Sequence, residues 1–77
     1  MMAKLIGLMG VNFINSNGEE VKGINIFTAF EDKNVQGLRT EKFFVKADIT
    51  LPKDTKINDT LNISFNHKGK IESIEKA

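Results

Sequence analysis

The sequence contains no cysteine, tryptophan or tyrosine, and it has a single histidine, His67. Without cysteine, disulfide bonds and thiolate metal sites are excluded. Metal binding or nucleophilic catalysis through His67 would need further ligands or an activated nucleophile nearby. His67 instead lies in a predicted tight turn, and the paired carboxylates also lie in predicted turns or near the chain end. We therefore predict a protein that is not an enzyme and uses no cofactor or metal.

The sequence also lacks a strong charge bias and a long apolar run. Ten acidic residues balance eleven basic ones, for a net charge of +1, which neither favours nor excludes a nucleic-acid partner. The apolar start, MMAKLIGLMG, is far shorter than the ~20 residues that cross a bilayer, and no small-residue cleavage pattern follows it. We expect a cytoplasmic protein with no membrane partner.

The length of the chain sets the expected size of its core. The 77 residues, 40% of them hydrophobic, predict one small domain over residues 1–77. A domain of this size buries only about 60% of the surface that its unfolded chain exposes. We therefore expect it to gain stability as a homodimer or a higher homo-oligomer.

The hydrophobic pattern has a period of two residues, which is typical of β-strands. It predicts five strands, at about residues 4–14, 21–30, 42–51, 60–66 and 70–75. The first predicted strand carries Leu5, Met9, Val11 and Phe13 on one face, and its glycines, Gly7 and Gly10, permit a bend. Broken alternation at Ile71 and Ile74 indicates either a bulge in the last strand or fraying at its end.

Polar segments separate the predicted strands. The Asn17-Gly18 pair is the strongest short hairpin signal, and residues 31–41 form a long polar connection around Gly37. This layout predicts an all-β fold, a small five-stranded antiparallel barrel of the OB-like type, whose closure removes exposed strand edges. An SH3-like barrel, or a meander that dimerises, is the alternative.

Two phenylalanines do not fit the predicted core. In the third strand Phe43 and Val45 occupy the core face, so Phe44 and Lys46 point the other way. In the second strand Ile24, Ile26 and Phe30 occupy the core face, so Asn25 and Phe27 point outward. Because consecutive strands usually pair, we expect these outward residues to share one surface.

Aromatic rings beside cations are typical of a platform for single-stranded nucleic acid, where rings stack on bases and cations follow the phosphates. The predicted site comprises Asn25, Phe27, Phe44 and Lys46, with Arg39 and Lys42 at its margin on the connecting loop. The loop lysines Lys53, Lys56, Lys68 and Lys70 either lie near a groove at one end of the barrel or only keep the protein soluble.

Other interpretations of the outward phenylalanines stay open at this point. Exposed apolar patches mark interfaces in general, so Phe27 and Phe44 fit equally well into a homo-oligomer interface of a protein-interaction or assembly module. Phe27 also fits beneath the 31–41 connection. A barrel that binds carbohydrate or another small ligand has no positive feature in its favour.

The chain resembles a known family in KGINIF at residues 22–27, in KFFVKADITL at residues 42–51 and in its closing hairpin. These segments resemble the small OB-fold single-stranded DNA-binding proteins of phages and plasmids, in particular the filamentous-phage helix-destabilising type. The resemblance implies an OB-like dimer that coats single strands cooperatively, with Phe27 and Phe44 as the stacking residues. Such proteins also stack bases on tyrosines, which this sequence does not have.

Overall fold

A computed structural model describes all 77 residues and contains five antiparallel strands in one sheet. The strands are β1 (Met2–Ile14), β2 (Glu20–Glu31), β3 (Leu38–Lys46), β4 (Thr60–Phe65) and β5 (Ile71–Lys76). They are arranged in the order β3-β2-β1-β4-β5. The predicted all-β, five-stranded antiparallel fold is confirmed. The sheet is not closed, but its edge strands β3 and β5 approach each other, which is compatible with a small barrel.

The curved sheet encloses its core on one face. Inward-facing apolar side chains from every strand form this core: Ala3, Leu5, Ile26, Val45, Leu61, Ile63, Ile71 and Ile74. Burying each large aliphatic side chain contributes about 1.5–3 kcal/mol, so these few residues supply much of the driving force for folding. The one buried polar residue, Thr28, donates its hydroxyl to the carbonyl oxygen of Glu41 at 3.0 Å. No helix of the chain is long and apolar enough to cross a membrane.

A bulge near the start of β1 changes which side chains face the core. The register against β2 shifts between Leu5 and Gly7, because Ile6 is an extra residue on β1. Leu5 is therefore buried in the core, whereas Met9 lies on the opposite face of the sheet. The predicted shared face for Leu5 and Met9 is wrong, because an added residue reverses the alternation beyond it.

Strand β3 begins and ends four to five residues before its predicted bounds of 42–51. Residues 38–41 are polar enough to read as a loop, yet they pair with β2, with Leu38 opposite Glu31 and Thr40 opposite Ala29. The predicted 31–41 connection is thereby reduced to residues 32–37. Beyond Lys46 the chain turns, and Ile49 packs against the core from the β3–β4 connection instead of continuing the strand.

The β1–β2 hairpin is closed by an asparagine side chain and a glycine. The Asn15 Oδ1 atom accepts hydrogen bonds from the backbone N–H groups of Asn17 at 2.9 Å and Glu19 at 3.0 Å. Gly18 has φ of 79°, a left-handed conformation that glycine adopts without a steric penalty. A three-residue loop with glycine in this position is a common hairpin connection, so the predicted hairpin is confirmed.

The β4–β5 hairpin repeats the same turn. The Asn66 Oδ1 atom accepts hydrogen bonds from the backbone N–H groups of Lys68 at 2.9 Å and Lys70 at 3.1 Å, and Gly69 has φ of 78°. The segments NSNGE and NHKGK thus share the pattern Asn-x-x-Gly-x. His67 is an exposed turn residue, as predicted. The turn places Lys68 and Lys70 at one end of the sheet.

Of the two alternatives that the sequence predicts for the last strand, a bulge or fraying, the structure contains the bulge. The pairing of β4 with β5 shifts register, so that Phe65 lies opposite Ile71 while Ser64 lies opposite Ser73. The extra residue, Glu72, lets both Ile71 and Ile74 point into the core.

Replacing a core side chain tests how far the small core stabilises the sheet. Leu61 is fully buried, so we expect Leu61→Ala to lower the free energy of unfolding by about 2–5 kcal/mol, as measured by urea denaturation. Ile57, in the β3–β4 connection, is 48% exposed, and Ile57→Ala is the control that should change stability little. Equal losses in the two variants would contradict this location of the core.

Candidate nucleic-acid interface

The face of the sheet opposite the core brings the outward residues of β1, β2 and β3 together. In one row across the strands, Phe27 of β2 lies between Gly7 of β1 and Lys42 of β3. In the next row, Asn25 lies between Met9 and Phe44. A third row contains Val11, Gly23 and Lys46. We call the face formed by these three rows the outer surface.

The outer surface therefore contains five of the six residues that the sequence singles out. Asn25, Phe27, Phe44 and Lys46 share it as expected. Lys42 lies within it, directly opposite Phe27 on β3, and not on a loop at its margin.

Each of the two phenylalanine rings covers a glycine on the neighbouring strand. A Cβ atom built on Gly7 would lie 3.2 Å from Cδ2 of Phe27. A Cβ atom on Gly23 would lie 2.6 Å from Cζ of Phe44 and would also collide with the Val45 carbonyl oxygen. Aromatic rings that fill the space above a glycine are held against the sheet by its backbone. Phe44 stays 39% exposed in this position, whereas Phe27 is half-buried.

The lysines of the outer surface have no acidic partner. Lys42 and Lys46 are exposed, and neither forms an ion pair with a carboxylate. Their ammonium groups are therefore free to interact with an external anion. On β2, Lys42 lies opposite the Phe27 side chain. Lys46 lies opposite Gly23, which has no side chain.

The predicted placement of Arg39 is wrong. Arg39 belongs to β3 itself, opposite Phe30, and its position in the alternation puts it on the face away from Phe44. Its guanidinium group binds Asp32 Oδ2 at 3.0 Å and Glu41 Oε1 at 3.1 Å, and it lies 5.9 Å from the centre of the Phe30 ring. Because the guanidinium group of Arg39 already contacts two carboxylates and an aromatic ring on the other face, it is unsuited to bind phosphate on the outer surface.

These contacts also shift the pKa values of Asp32 and Arg39. The backbone N–H of Asn34 and then the guanidinium of Arg39 donate hydrogen bonds to Asp32, and they hold the pKa of this carboxyl below its usual value. The hydrogen bonds to Asp32 and then to Glu41 raise the pKa of Arg39. Because the pKa of Asp32 is lowered in the folded state, its contribution to stability is present at neutral pH and is lost as the pH falls through that lowered pKa.

A groove adjoins the outer surface at the open side of the sheet, between β3 and the β4–β5 hairpin. Its volume is about 660 Å³. The Phe43 and Phe65 rings, 5.5 Å apart and tilted by 57°, are part of its lining. Four lysines line the groove against two carboxylates, Asp48 and Glu72, so its local charge is positive. These lysines are Lys42 and Lys46 of β3 and Lys68 and Lys70 of the hairpin.

The loop lysines of the sequence therefore separate into two pairs. Lys68 and Lys70 lie in the groove, whereas Lys53 and Lys56 are exposed in the β3–β4 connection and do not line it. The Asn-x-x-Gly-x pattern predicts the turn that carries Lys68 and Lys70, but it does not indicate that β3 lies next to this turn.

Sequence patterns did not single out the apolar extension of the outer surface on β1. Met9 and Phe13 are 49% and 52% exposed on the same face as Phe27. The signal that identifies them is the bulge at Leu5–Gly7, which reverses the alternation, and a bulge position is set by pairing with β2.

No protein-family model, curated protein or solved structure matches this chain. The candidate interface is therefore defined by the positions of its own side chains.

The contact between Phe44 and Gly23 can be tested by adding one methyl group. We expect Gly23→Ala to displace the Phe44 ring and to lower the free energy of unfolding by about 1–3 kcal/mol, because the new Cβ atom has no space. Urea denaturation measures the stability, and the NMR shifts of the ring protons report the displacement.

Gly10→Ala is the matched control, because a Cβ atom at Gly10 meets no atom within 4 Å. A Gly→Ala change in an unstrained position is neutral or stabilises by about 0.4–1 kcal/mol. If both variants were equally stable and kept the same Phe44 shifts, the close approach of Phe44 to Gly23 would be wrong.

Proposed function

We propose that this protein binds single-stranded nucleic acid, in the first place single-stranded DNA, with little sequence preference and without catalysing a reaction. The strand lies across the outer surface and continues into the lysine-lined groove. In this role the protein acts in the cytoplasm on single strands of the kind that phages and mobile elements produce. The observation that carries the proposal is that two phenylalanine rings and two unpaired lysines share one face.

Stacking supplies the sequence-independent part of the affinity. Phe27 on β2 and Phe44 on β3 are diagonal neighbours on one face of an antiparallel pair. The Cα atoms of such neighbours are about 7–8 Å apart. Every base has a π face, and stacking on an aromatic ring contributes about 1–3 kcal/mol per base. Asn25, directly opposite Phe44, adds an amide that can donate to or accept from a base or sugar.

Phosphate contacts supply the electrostatic part. Lys42 and Lys46 belong to both the outer surface and the groove, so a strand that stacks on Phe44 passes next to them. Lys68 and Lys70 extend the line of positive charge along the groove. For a single strand, log K falls with log salt by about 0.7 per neutralised phosphate, so contacts by all four lysines correspond to a slope of about −3.

A second candidate function is a protein-interaction or assembly module, in which the outer aromatics are buried against protein. The observation in its favour is that Met9 and Phe13 extend the apolar area of the outer surface onto β1. Binding through this apolar area would depend weakly on salt, whereas a phosphate-driven complex weakens steeply as salt rises.

Removing both rings tests the stacking proposal directly. We expect the double variant Phe27→Ala, Phe44→Ala to lose about 30-fold or more in affinity for a labelled single-stranded oligonucleotide, because two stacked bases are lost. Fluorescence anisotropy with single-stranded and duplex oligonucleotides measures the affinity, and circular dichroism checks that the variant folds.

Conservative changes at Phe44 separate stacking from apolar burial. Phe44→Trp keeps an aromatic face and should preserve binding, whereas Phe44→Leu keeps an apolar side chain and should weaken it. Wild-type protein that fails to bind even at low salt, or a double variant with unchanged affinity, would contradict the proposal.

Charge removal at two positions of β3 tests which face binds the strand. We expect Lys46→Gln to weaken binding and to reduce the salt slope by about 0.7, because Lys46 has no carboxylate partner on the outer surface. Arg39→Gln removes the same charge from the opposite face, where Asp32 and Glu41 already neutralise it. Anisotropy titrations at several salt concentrations compare the two variants, and equal effects would contradict binding across the outer surface.

A further inference from the structure

Most of one edge of β1 has no partner. β1 pairs with β4 only through Met2–Lys4. The next residue, Leu5, is bonded to the β3–β4 connection, since its N–H donates to the Asp59 carbonyl oxygen at 2.9 Å and its carbonyl accepts from Asn58 at 2.7 Å. Residues 7–14 pair with β2 alone, and no other backbone hydrogen bond reaches them. We call the side of residues 7–14 that faces away from β2 the free edge.

The turn hydrogen bonds show which backbone groups point toward the free edge. The Asn15 N–H donates to the Glu19 carbonyl oxygen at 2.9 Å, so residue 15 faces β2. In an antiparallel pair, residues bonded to the partner strand alternate with residues whose N–H and C=O point away from it. The free groups are therefore those of the even-numbered residues, Leu8, Gly10, Asn12 and Ile14.

The free edge lacks the features that normally prevent strand pairing. Its sequence, GLMGVNFI, contains no charge and no proline. Soluble proteins usually protect such edges with lysine, proline or bulges. The other long edge of this sheet, on β3, is protected in this way by Lys42 and Lys46. On β1 the bulge at Leu5–Gly7 precedes the free edge, and nothing within it hinders pairing.

We infer that the free edge of β1 pairs antiparallel with the same edge of a second copy, about a two-fold axis at Val11. The even-numbered residues of the two copies then exchange their backbone hydrogen bonds. This pairing rests on the free edge alone and does not depend on the proposed nucleic-acid binding.

The side chains select a second copy as the occupant, and they select this register. With the axis at Val11, Leu8 lies opposite Ile14 of the second copy, and Met9 lies opposite its Phe13. Each of these apolar side chains is 44–71% exposed in the single chain. Shifting the axis to Gly10 would place Leu8 opposite Asn12, which is a poorer match. Because the segment is uncharged, no like charges oppose each other in either case.

The small number of buried residues favours the same contact. Only ten of the 77 residues are buried in the single chain, and small domains commonly gain stability by association. A two-fold axis perpendicular to the sheet joins the two sheets into the continuous order β3-β2-β1-β1-β2-β3. The outer surfaces of both copies then lie on the same side.

A single cysteine introduced at Val11 tests the register, because the native chain has no cysteine. Across the inferred contact, residue 11 faces itself as a non-hydrogen-bonded pair, with Cα atoms about 4.5 Å apart. This spacing permits a disulfide bond. We expect Val11→Cys to form a cross-linked dimer rapidly on mild oxidation, as measured by non-reducing electrophoresis and mass spectrometry.

Met9→Cys is the matched control on the same face of the same strand. Residue 9 lies opposite residue 13, so the two introduced thiols would be four residues apart, about 14 Å along the strand. We expect no rapid cross-link. Equal cross-linking of the two variants, or none in Val11→Cys, would overturn the inferred pairing.

Sedimentation measures the association without a cross-link. We expect the wild-type chain to sediment at twice its mass of 8.6 kDa and to dissociate on dilution. Asn12→Pro removes an N–H that points to the free edge and takes part in no bond with β2, so it should weaken the dimer at least tenfold.

If Asn12→Pro fails to fold, Ile14→Lys tests the same edge, because Ile14 is 71% exposed and its replacement costs the single chain little. Ile57→Lys makes the same change at an exposed isoleucine away from the edge and should leave the dimer intact. A monomeric wild type, or a dimer that Ile14→Lys and Ile57→Lys affect equally, would overturn the proposal, whatever the outcome of the nucleic-acid titrations.

Discussion

The register of β2 against β1 and β3 is the constraint on which both the core and the candidate interface depend. Ile26 and Thr28 are fully buried on one face of β2, and a slip of one residue would move this whole set to the solvent side. The same register places Phe27 on the opposite face, over Gly7 and opposite Lys42. The side chains that stabilise the fold and those proposed to bind a strand are therefore positioned by one set of backbone hydrogen bonds.

The distribution of charge explains how a nearly neutral protein can present a basic surface. Arg39 and Glu41 of β3 and Asp32 of the β2–β3 connection neutralise one another, while Lys42 and Lys46 stay unpaired on the outer surface. The alternation of side chains along a strand is what separates these two groups. Net charge alone does not reveal the separation, because a sum over residues contains no information about faces.

The two long edges of the sheet differ in the charge and polarity of their side chains. The edge of β3 carries lysines beside the groove, which suits an anionic ligand and discourages strand pairing. The free edge of β1 is uncharged and apolar, which suits a second strand of its own kind. Because β2 lies between β1 and β3, the inferred dimer contact and the lysine-lined groove lie on opposite sides of each outer surface. The dimer would therefore leave the groove open to a ligand.

Local sequence patterns are enough to predict five antiparallel strands, the hairpin at Asn17-Gly18, the tight turn that contains His67 and the outward direction of Phe27 and Phe44. These features follow from the period-two pattern and from turn chemistry, which act over a few residues. Four features emerge only in the folded chain: the bulge that places Leu5 and Met9 on opposite faces, the polar start of β3, the ion pairs of Arg39, and the groove that joins Lys68 and Lys70 to β3. Each of these depends on pairing or contact between segments distant in the chain, and no local pattern of residues encodes which segments meet.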